Sequence, residues 1–150
     1  MAFPLPDPMR LALDAAARAG EAGEVPVGAV VTRDGGVIAA AANAMRRSGD
    51  PTAHAEMEAI RAACATLGAG RLDGCDLWVT LEPCAMCAGA IAIARIDRLY
   101  YAAADGKGGA VAHGPRFFHQ PTCHHRPDVY AGLGESEAAA MLRGFFAGRR

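Results

Sequence analysis

The chain has few of the features that mark membrane, secreted or strongly charged proteins. Its 150 residues carry a formal net charge of −1, and only 6% of them are aromatic. Arg, Asp or Gly interrupts each apolar stretch before it reaches the roughly 20 residues that cross a bilayer, so we expect no membrane association. The net charge does not indicate a general nucleic-acid-binding protein, although basic residues outnumber acidic ones from residue 91 onward.

The cysteine count and the amino terminus both argue against secretion. Five cysteines, an odd number, do not fit a framework of disulfide bonds. Residues 1–8 contain no basic segment followed by an apolar one, so we expect no secretory signal peptide. We therefore expect a cytoplasmic protein in a reducing compartment. At this length, with 52% hydrophobic residues, a single domain spanning residues 1–150 is expected.

Two short motifs contain the residues best suited to metal chemistry. Residues 54–56 have the sequence H-A-E, and residues 83–87 have the sequence P-C-A-M-C. Imidazole and thiolate are ligands that Zn²⁺ prefers, and three protein ligands leave open the fourth tetrahedral position that a catalytic zinc site needs. H-x-E followed by P-C-x-x-C is the signature of zinc deaminases. We predict that one Zn²⁺ per chain is bound by His54, Cys84 and Cys87.

The remaining acidic residue of the first motif is then available for catalysis. We predict that Glu56 transfers protons beside a zinc-bound water. Each motif alone has simpler interpretations: C-x-x-C could be a redox pair or half of a structural zinc site, and a Glu in a first helical turn is commonly placed there by the helix dipole. The two motifs together, each after a strand-like stretch, favour the catalytic zinc site.

The spacing of the first motif constrains where its helix begins. His54 and Glu56 are two residues apart, which on a regular helix places them on nearly opposite sides. They can face one ion only if His54 lies at or just before the first turn. We predict Thr52 as the N-cap of this helix and Pro83 as the first residue of a helix that contains the second motif. Both helix N-termini would then favour thiolate ligands.

The order of predicted elements indicates an α/β fold with helices on both faces of a sheet. Polar or glycine-rich sequence predicts loops at residues 43–50 and 104–127. An Asp-Gly turn at residues 34–36 predicts a β-hairpin. The first helix is predicted to have Asp7 as its N-cap and Pro8 as its first residue, and to end near Gly20 or Gly23. Two further helices are predicted to begin at the two motifs, and a last one at Glu135. Strands are predicted at 25–31, 37–39, 76–80 and 99–102.

The longer strings around the motifs resemble a known family. D-P-T-A-H-A-E at residues 50–56 and V-T-L-E-P-C-A-M-C-A-G-A at residues 79–90, with P-V-G-A-V at 26–30 and D-G-K-G-G-A at 105–110, are similar to the bacterial tRNA-specific adenosine deaminases. The likeness extends from Met9 to Arg149. It implies a cytidine deaminase-like fold, a three-layer α/β/α sandwich with a five-stranded mixed sheet, and a homodimer. The implied activity is zinc-dependent hydrolysis of the wobble adenosine, position 34, of a tRNA anticodon loop to inosine.

The resemblance also implies substrate contacts in the tRNA anticodon stem-loop. Asn43 and the backbone at Ala55 and from Glu82 to Cys84, including Pro83, match positions around the target base. Asp105 and Lys107 match positions that contact flanking nucleotides, and Phe146 and Arg149 match the terminal helix that closes over them. Simpler roles stay open: a polar loop tip for Asp105 and Lys107, and core packing for Phe146. Residues 116–126 vary within the family, and Cys123-His124-His125 there is a weak candidate for a second metal cluster.

Two other functions are compatible with the motifs. A deaminase of a free base or nucleoside, such as guanine, cytosine or cytidine, would use the same zinc site. A zinc-stabilised scaffold or catalytically silent RNA-binding partner would need no proton-transferring residue, yet Glu56 is present.

Overall fold

The computed structural model describes residues 4–149, which form a five-stranded sheet with helices on both faces. The strands are β1 (Gly28–Arg33), β2 (Gly36–Ala42), β3 (Cys75–Leu81), β4 (Arg98–Ala103) and β5 (Asp128–Ala131). The helices are α1 (Asp7–Glu21), α2 (Met45–Ser48), α3 (Ala55–Leu67), α4 (Ala85–Ala94) and α5 (Glu135–Ala147), with a short 3-10 helix at Phe117–His119. No helix of residues 4–149 has both the length and the apolar character needed to cross a lipid bilayer.

The sheet is mixed, with strand order β2-β1-β3-β4-β5. β1 is antiparallel to both β2 and β3, whereas β3, β4 and β5 are parallel to one another. The parallel pair β3 and β4 requires a crossover, which α4 provides. The predicted α/β/α architecture is therefore confirmed, including the five strands that the family resemblance implied.

Two apolar cores lie on opposite faces of the sheet. The larger core packs α3 and α4 against the sheet and includes Leu77, Ile91 and Leu99, all fully buried. The smaller core packs α1 and α5 against the other face through residues such as Leu13 and Trp78. The sheet is thus rigidly supported on both sides, and the N-termini of α3 and α4 meet on the side of the larger core.

Several predicted boundaries were wrong for local reasons. α1 begins at Asp7 with Pro6 as its N-cap, because the Pro6 carbonyl accepts the first helical hydrogen bond from the Arg10 N–H, at 3.0 Å. β1 begins at Gly28 rather than at residue 25, since Pro26 has no N–H for the strand ladder. The predicted hairpin is confirmed: Asp34 and Gly35 both have positive φ, 51° and 80°, as in a type I′ turn.

Two elements were not predicted from local sequence. Residues 43–50, predicted as a loop, contain α2, whose first N–H groups find an acceptor far away in sequence. The buried Glu24 carboxylate accepts the N–H of Arg46 at 3.0 Å and of Arg47 at 2.7 Å. Burial alone would raise the pKa of Glu24, but these two N–H donors hold it below its usual value. β5 begins directly after the segment predicted to be irregular, where no element was predicted, and its four residues are exposed.

Gly28 permits an unusually close approach between α1 and β1. A methyl group on this residue would lie 2.0 Å from the Ala12 carbonyl oxygen and 2.9 Å from the Ala16 nitrogen. Both are backbone atoms, so α1 would have to move. We expect Gly28→Ala to lower the free energy of unfolding by about 3 kcal/mol or more in urea denaturation. Gly70→Ala is the control, because nothing lies within 4 Å of that position; equal midpoints for the two variants would contradict the expectation.

Candidate metal centre and active site

His54, Cys84 and Cys87 converge on one point, as the motif spacing predicted. Their candidate ligand atoms all lie within 4.8 Å of one another, and among residues 4–149 this is the group of His, Cys, Asp and Glu side chains placed to hold a metal ion. The Sγ atoms of Cys84 and Cys87 are each 3.6 Å from His54 Nδ1. Tetrahedral zinc with ordinary Zn–S and Zn–N bonds separates sulfur and nitrogen ligands by about 3.5 Å. The donor set and its spacing therefore fit zinc.

The first metal-ligand residue of each motif lies at the N-cap of a helix. His54 is the N-cap of α3 and Cys84 is the N-cap of α4, both with extended backbone. The predicted caps were wrong: Thr52 closes the preceding turn by donating its N–H and hydroxyl to Asp50 Oδ1, at 2.8 and 2.7 Å, and Pro83 precedes the cap. An N-cap residue is not yet helical, so its side chain can turn off the helix end. This is how His54 and Glu56 reach the same site.

Glu56 lies beside the ligand cluster in a nearly water-free position. Its exposed fraction is 4%. Burial disfavours the charged form and raises the pKa of Glu56 to about 7, and the nearby Cys84 adds to the increase. A carboxyl group with a pKa near neutrality can both accept and release a proton during one reaction cycle.

The two thiols differ in electrostatic environment. Donation from the Cys87 thiol lowers the pKa of Cys84 to about 5, against the opposing effect of burial. The pKa of Cys87 is raised, first by this hydrogen bond and then by its burial. Cys84 is therefore readily held as thiolate, the form that binds metals.

A cavity of about 240 Å³ opens beside this cluster. Its wall includes the metal-ligand candidates His54 and Cys84 as well as Glu56. The other lining residues are Val25, Val27, Asn43, Met45, Leu81, Glu82, Asp105 and Gly108. A small molecule or an extruded base in this cavity would contact Glu56 directly.

Comparison with known proteins gives the family. Residues 6–103 match the family model for the cytidine and deoxycytidylate deaminase zinc-binding region. The chain is 62% identical over 142 residues to the tRNA-specific adenosine deaminase of Agrobacterium fabrum, which covers 95% of this chain and 93% of that protein. It is 41% identical over 138 residues to the Bacillus subtilis enzyme of the same name, covering 92% and 86% of the two chains. The chain belongs to the tRNA-specific adenosine deaminase family.

Solved structures of deaminases share the fold of this chain. One, from a study of A-to-I editing by tRNA:A34 deaminases at the wobble position of transfer RNA, superimposes with a TM-score of 0.90 at 62% identity, covering 91% of this chain and 99% of that one. A guanine deaminase from Nitrosomonas europaea gives a TM-score of 0.78 at 28% identity, covering 98% and 86%. The protein is therefore a zinc-dependent deaminase, a hydrolytic enzyme that binds zinc.

Three residues predicted from the family to surround the base have different placements. Asn43 lines the cavity; its Oδ1 accepts the Ala55 N–H at 2.8 Å and its Nδ2 donates to the Val25 carbonyl at 3.2 Å. Asn43 thereby satisfies the first N–H of α3. Ala55 is fully buried with this N–H already used. Pro83 is also fully buried, and its carbonyl accepts the Ala110 N–H at 2.9 Å. Binding roles for Ala55 and Pro83 stay predictions.

The predicted contacts to flanking nucleotides lie farther out. Asp105 reaches the cavity wall, and its Oδ1 accepts the N–H groups of Lys107 and Gly108 at 3.1 and 2.9 Å. Lys107 is exposed at the loop surface. The structure does not bring Phe146 or Arg149 to the cavity. Phe146 is 55% exposed, so core packing does not explain it, and the Arg149 guanidinium lies 3.9 Å above the centre of the Phe145 ring.

The Cys123-His124-His125 cluster is used for backbone contacts. Cys123 donates to the His125 carbonyl at 3.1 Å, and His125 Nε2 contacts the Ile96 carbonyl at 2.6 Å. In the described part of the chain, the metal-ligand grouping is the one at His54, and a second metal site here is not supported.

Sequence reasoning missed two buried carboxylates that border the site. Glu24 accepts a hydrogen bond from the start of α2, and the first residue of that helix, Met45, lines the cavity. Glu82 has an exposed fraction of 2% and accepts several N–H groups from the loop after β4. Burial would raise the pKa of Glu82, but these donors hold it below its usual value. The signal for Glu82 is an acidic residue directly after the apolar strand residues V-T-L.

Proposed function

We propose that this enzyme hydrolyses the wobble adenosine, position 34, of a tRNA anticodon loop to inosine. The observation that carries the proposal is the cluster of His54, Cys84 and Cys87 beside a cavity that His54, Cys84 and the buried Glu56 line. The named activity of the relatives at 62% and 41% identity supports tRNA as the substrate. A base in a folded loop has to be extruded from its stack to enter such a cavity.

His54, Cys84 and Cys87 would hold the zinc ion. Zinc bound there activates the water that displaces the amino group. Glu56 accepts a proton from this water and donates a proton to N1 of the adenine, so that the C6 carbon can be attacked. Glu56 then accepts the second proton of the attacking water from the oxygen now bonded to C6 and delivers it to the departing 6-amino group, which leaves as ammonia. Water and adenosine are thus converted to inosine and ammonia with the carboxylate restored.

The remaining side chains supply orientation and RNA binding in this proposal. Asn43 is fixed by its contacts with Ala55 and Val25 and presents its amide to the base. Asp105 and Lys107 contact the nucleotides beside the target base. Phe146, exposed near the end of α5, and Arg149, just after that helix, bind the same nucleotides. Exposed aromatic rings stack on unpaired bases, and cationic side chains neutralise phosphates.

The direct test is to incubate the zinc-loaded enzyme with an anticodon stem-loop that has adenosine at position 34 and to measure inosine. A stem-loop with the adenosine moved into the stem is the control. Free guanine, cytosine, cytidine and adenosine form the competing arm, because guanine deaminases share this fold. Faster ammonia release from a free base than from the stem-loop would overturn the proposal in favour of the small-molecule deaminase.

We further propose that the enzyme is a cytoplasmic homodimer. Support for the dimer comes from α4, which exposes apolar side chains to solvent. Ile93 is 79% exposed and Met86 is 36% exposed. Ile93 also lines a groove of about 260 Å³ together with Gly89 and Phe117. An apolar patch of this kind suits a self-complementary interface around a two-fold axis.

The dimer proposal predicts the effect of a charge on this face. We expect Ile93→Glu to convert the dimer to a monomer in light scattering at micromolar concentration, because a buried unpaired carboxylate opposes association. Val37→Glu is the matched control: Val37 is also exposed, at 49%, but lies on β2. A wild-type chain that is already monomeric would contradict the proposal.

A further inference from the structure

The loop after β4 forms one wall of the cavity and is attached to the metal-ligand segment at several points. Asp105 and Gly108 from this loop line the cavity. The Ala110 N–H donates to the Pro83 carbonyl, at 2.9 Å, directly before Cys84. The remaining attachments are made by Glu82, which follows β3. The position of this wall therefore depends on contacts made just before the metal-ligand motif.

Glu82 concentrates these contacts on one carboxylate. Its Oε1 accepts the Asp105 N–H at 3.0 Å and lies 2.8 Å from His113 Nδ1. Its Oε2 accepts the N–H groups of Val111 at 3.1 Å, Ala112 at 2.9 Å and His113 at 3.3 Å. The Glu82 side chain is 0% exposed. A carboxylate is acceptor-only, so it is the one side-chain group that can satisfy donors on both oxygens.

The backbone of the loop is fitted closely to this carboxylate. A methyl group on Gly109 would lie 2.5 Å from the Glu82 carboxyl carbon, 2.6 Å from Oε2 and 2.5 Å from the Asp105 carbonyl oxygen. Gly106 in the same loop has nothing within 4 Å. The close packing is thus specific to the part of the loop that surrounds Glu82.

We propose that Glu82 is a positioning residue for the deamination: its carboxylate holds the loop from Asp105 to His113 against the metal-ligand segment and so fixes the cavity wall on which the base is oriented. This inference rests on the proposed function. Glu82 does not touch the reacting atoms; it acts through Asp105 and Gly108. Small misplacements of an orienting group lower the rate of the chemical step strongly.

The expected kinetic signature is a loss in kcat with little change in KM. Affinity for RNA comes mainly from phosphate contacts, and a long exposed side chain such as Lys107 tolerates movement of its loop. The orientation of the base within the cavity, in contrast, is lost when the loop moves. A residue needed merely for folding would instead lower the amount of active, zinc-loaded enzyme without this split.

The test uses Glu82→Gln, Gly109→Ala and the control Gly106→Ala in the full-length, zinc-loaded enzyme. Glutamine keeps the shape of the glutamate side chain but has only one acceptor oxygen. Its NH₂ group, itself a donor, would therefore face backbone N–H donors that a Glu82 oxygen now accepts. We expect Glu82→Gln and Gly109→Ala to lower kcat on the stem-loop by about 10- to 100-fold, with KM within about threefold and one zinc per chain. Gly106→Ala should stay within about twofold of the wild type.

Hydrogen exchange provides the independent arm. The amides of Asp105, Val111, Ala112 and His113 should exchange faster in Glu82→Gln, while those of β1 and β3 keep their wild-type rates. Unchanged exchange, wild-type kcat in both variants, or zinc loss parallel to the fall in kcat would each overturn the inference. If Glu82→Gln fails to fold, Gly109→Ala decides, since it leaves the carboxylate in place. A wild type that makes no inosine would refute the proposed function, whereas the exchange arm would still test whether Glu82 holds the loop.

Discussion

Replacing Glu56 by glutamine is expected to lower kcat on the anticodon stem-loop by at least about 10²-fold while zinc content and fold are retained. The glutamine amide has nearly the same shape as the carboxyl group but cannot exchange a proton at neutral pH. Glu56 is 4% exposed, and burial raises its pKa to about 7, so the wild-type residue already carries a penalty for its charged form. A neutral side chain removes that penalty, and thermal stability should be equal or higher.

Glu58→Gln is the matched control for this result. Glu58 lies on the same helix and is half-buried, and its ion pair with Arg61 is long, at 3.9 Å. Such an exposed pair contributes little to stability, so the variant should keep wild-type kcat. If Glu56→Gln kept wild-type activity, the general acid–base role would be refuted, and the zinc-stabilised scaffold would become the better interpretation of the motifs.

The second large effect is expected from removal of one metal ligand. Cys84→Ala leaves a single thiolate and one imidazole, and three protein ligands are the usual minimum for a catalytic zinc site. We expect zinc measured by mass spectrometry of the purified protein to fall far below one ion per chain, and deamination to fall to background. Because Cys84 is half-buried and lies at a helix N-cap, the substitution leaves no large cavity in the core.

Cys64→Ala separates this effect from general cysteine loss. Cys64 is also half-buried and packs beside the larger core, but it is outside the ligand cluster. It should retain one zinc ion and wild-type activity. Equal zinc content in Cys84→Ala and Cys64→Ala would show that the metal is bound elsewhere.

The sequence predicts those parts of the fold that depend on patterns of neighbouring residues. The Asp34-Gly35 turn requires positive φ at two successive residues, which this dipeptide favours, and the hairpin follows. α2 could not be predicted in this way, because its first N–H groups are satisfied by Glu24, a side chain from an earlier part of the chain. β5 lacks an alternating apolar pattern since its residues are exposed at the sheet edge.

The metal-ligand residues were predictable for a different reason. An imidazole, two thiolates and a nearby carboxyl group at fixed spacing identify a metal site. They do not identify the residue at which each helix begins. The helix starts were therefore misplaced, at Thr52 and Pro83, while the ligands themselves converge as expected. For Glu82 only the backbone was considered. The role of its carboxylate could not be predicted, because the N–H donors that it binds come from the loop after β4 and are remote in sequence.

The placement of His54 and Cys84 at the first residues of two helices has a consequence for unfolding. An ion held by both would act as a cross-link that joins the starts of α3 and α4 and closes the intervening chain, including β3, into a ring. Closing a ring lowers the entropy of the unfolded chain, and an ion that binds only the folded form adds its own binding free energy. The melting temperature should consequently rise with the concentration of free zinc.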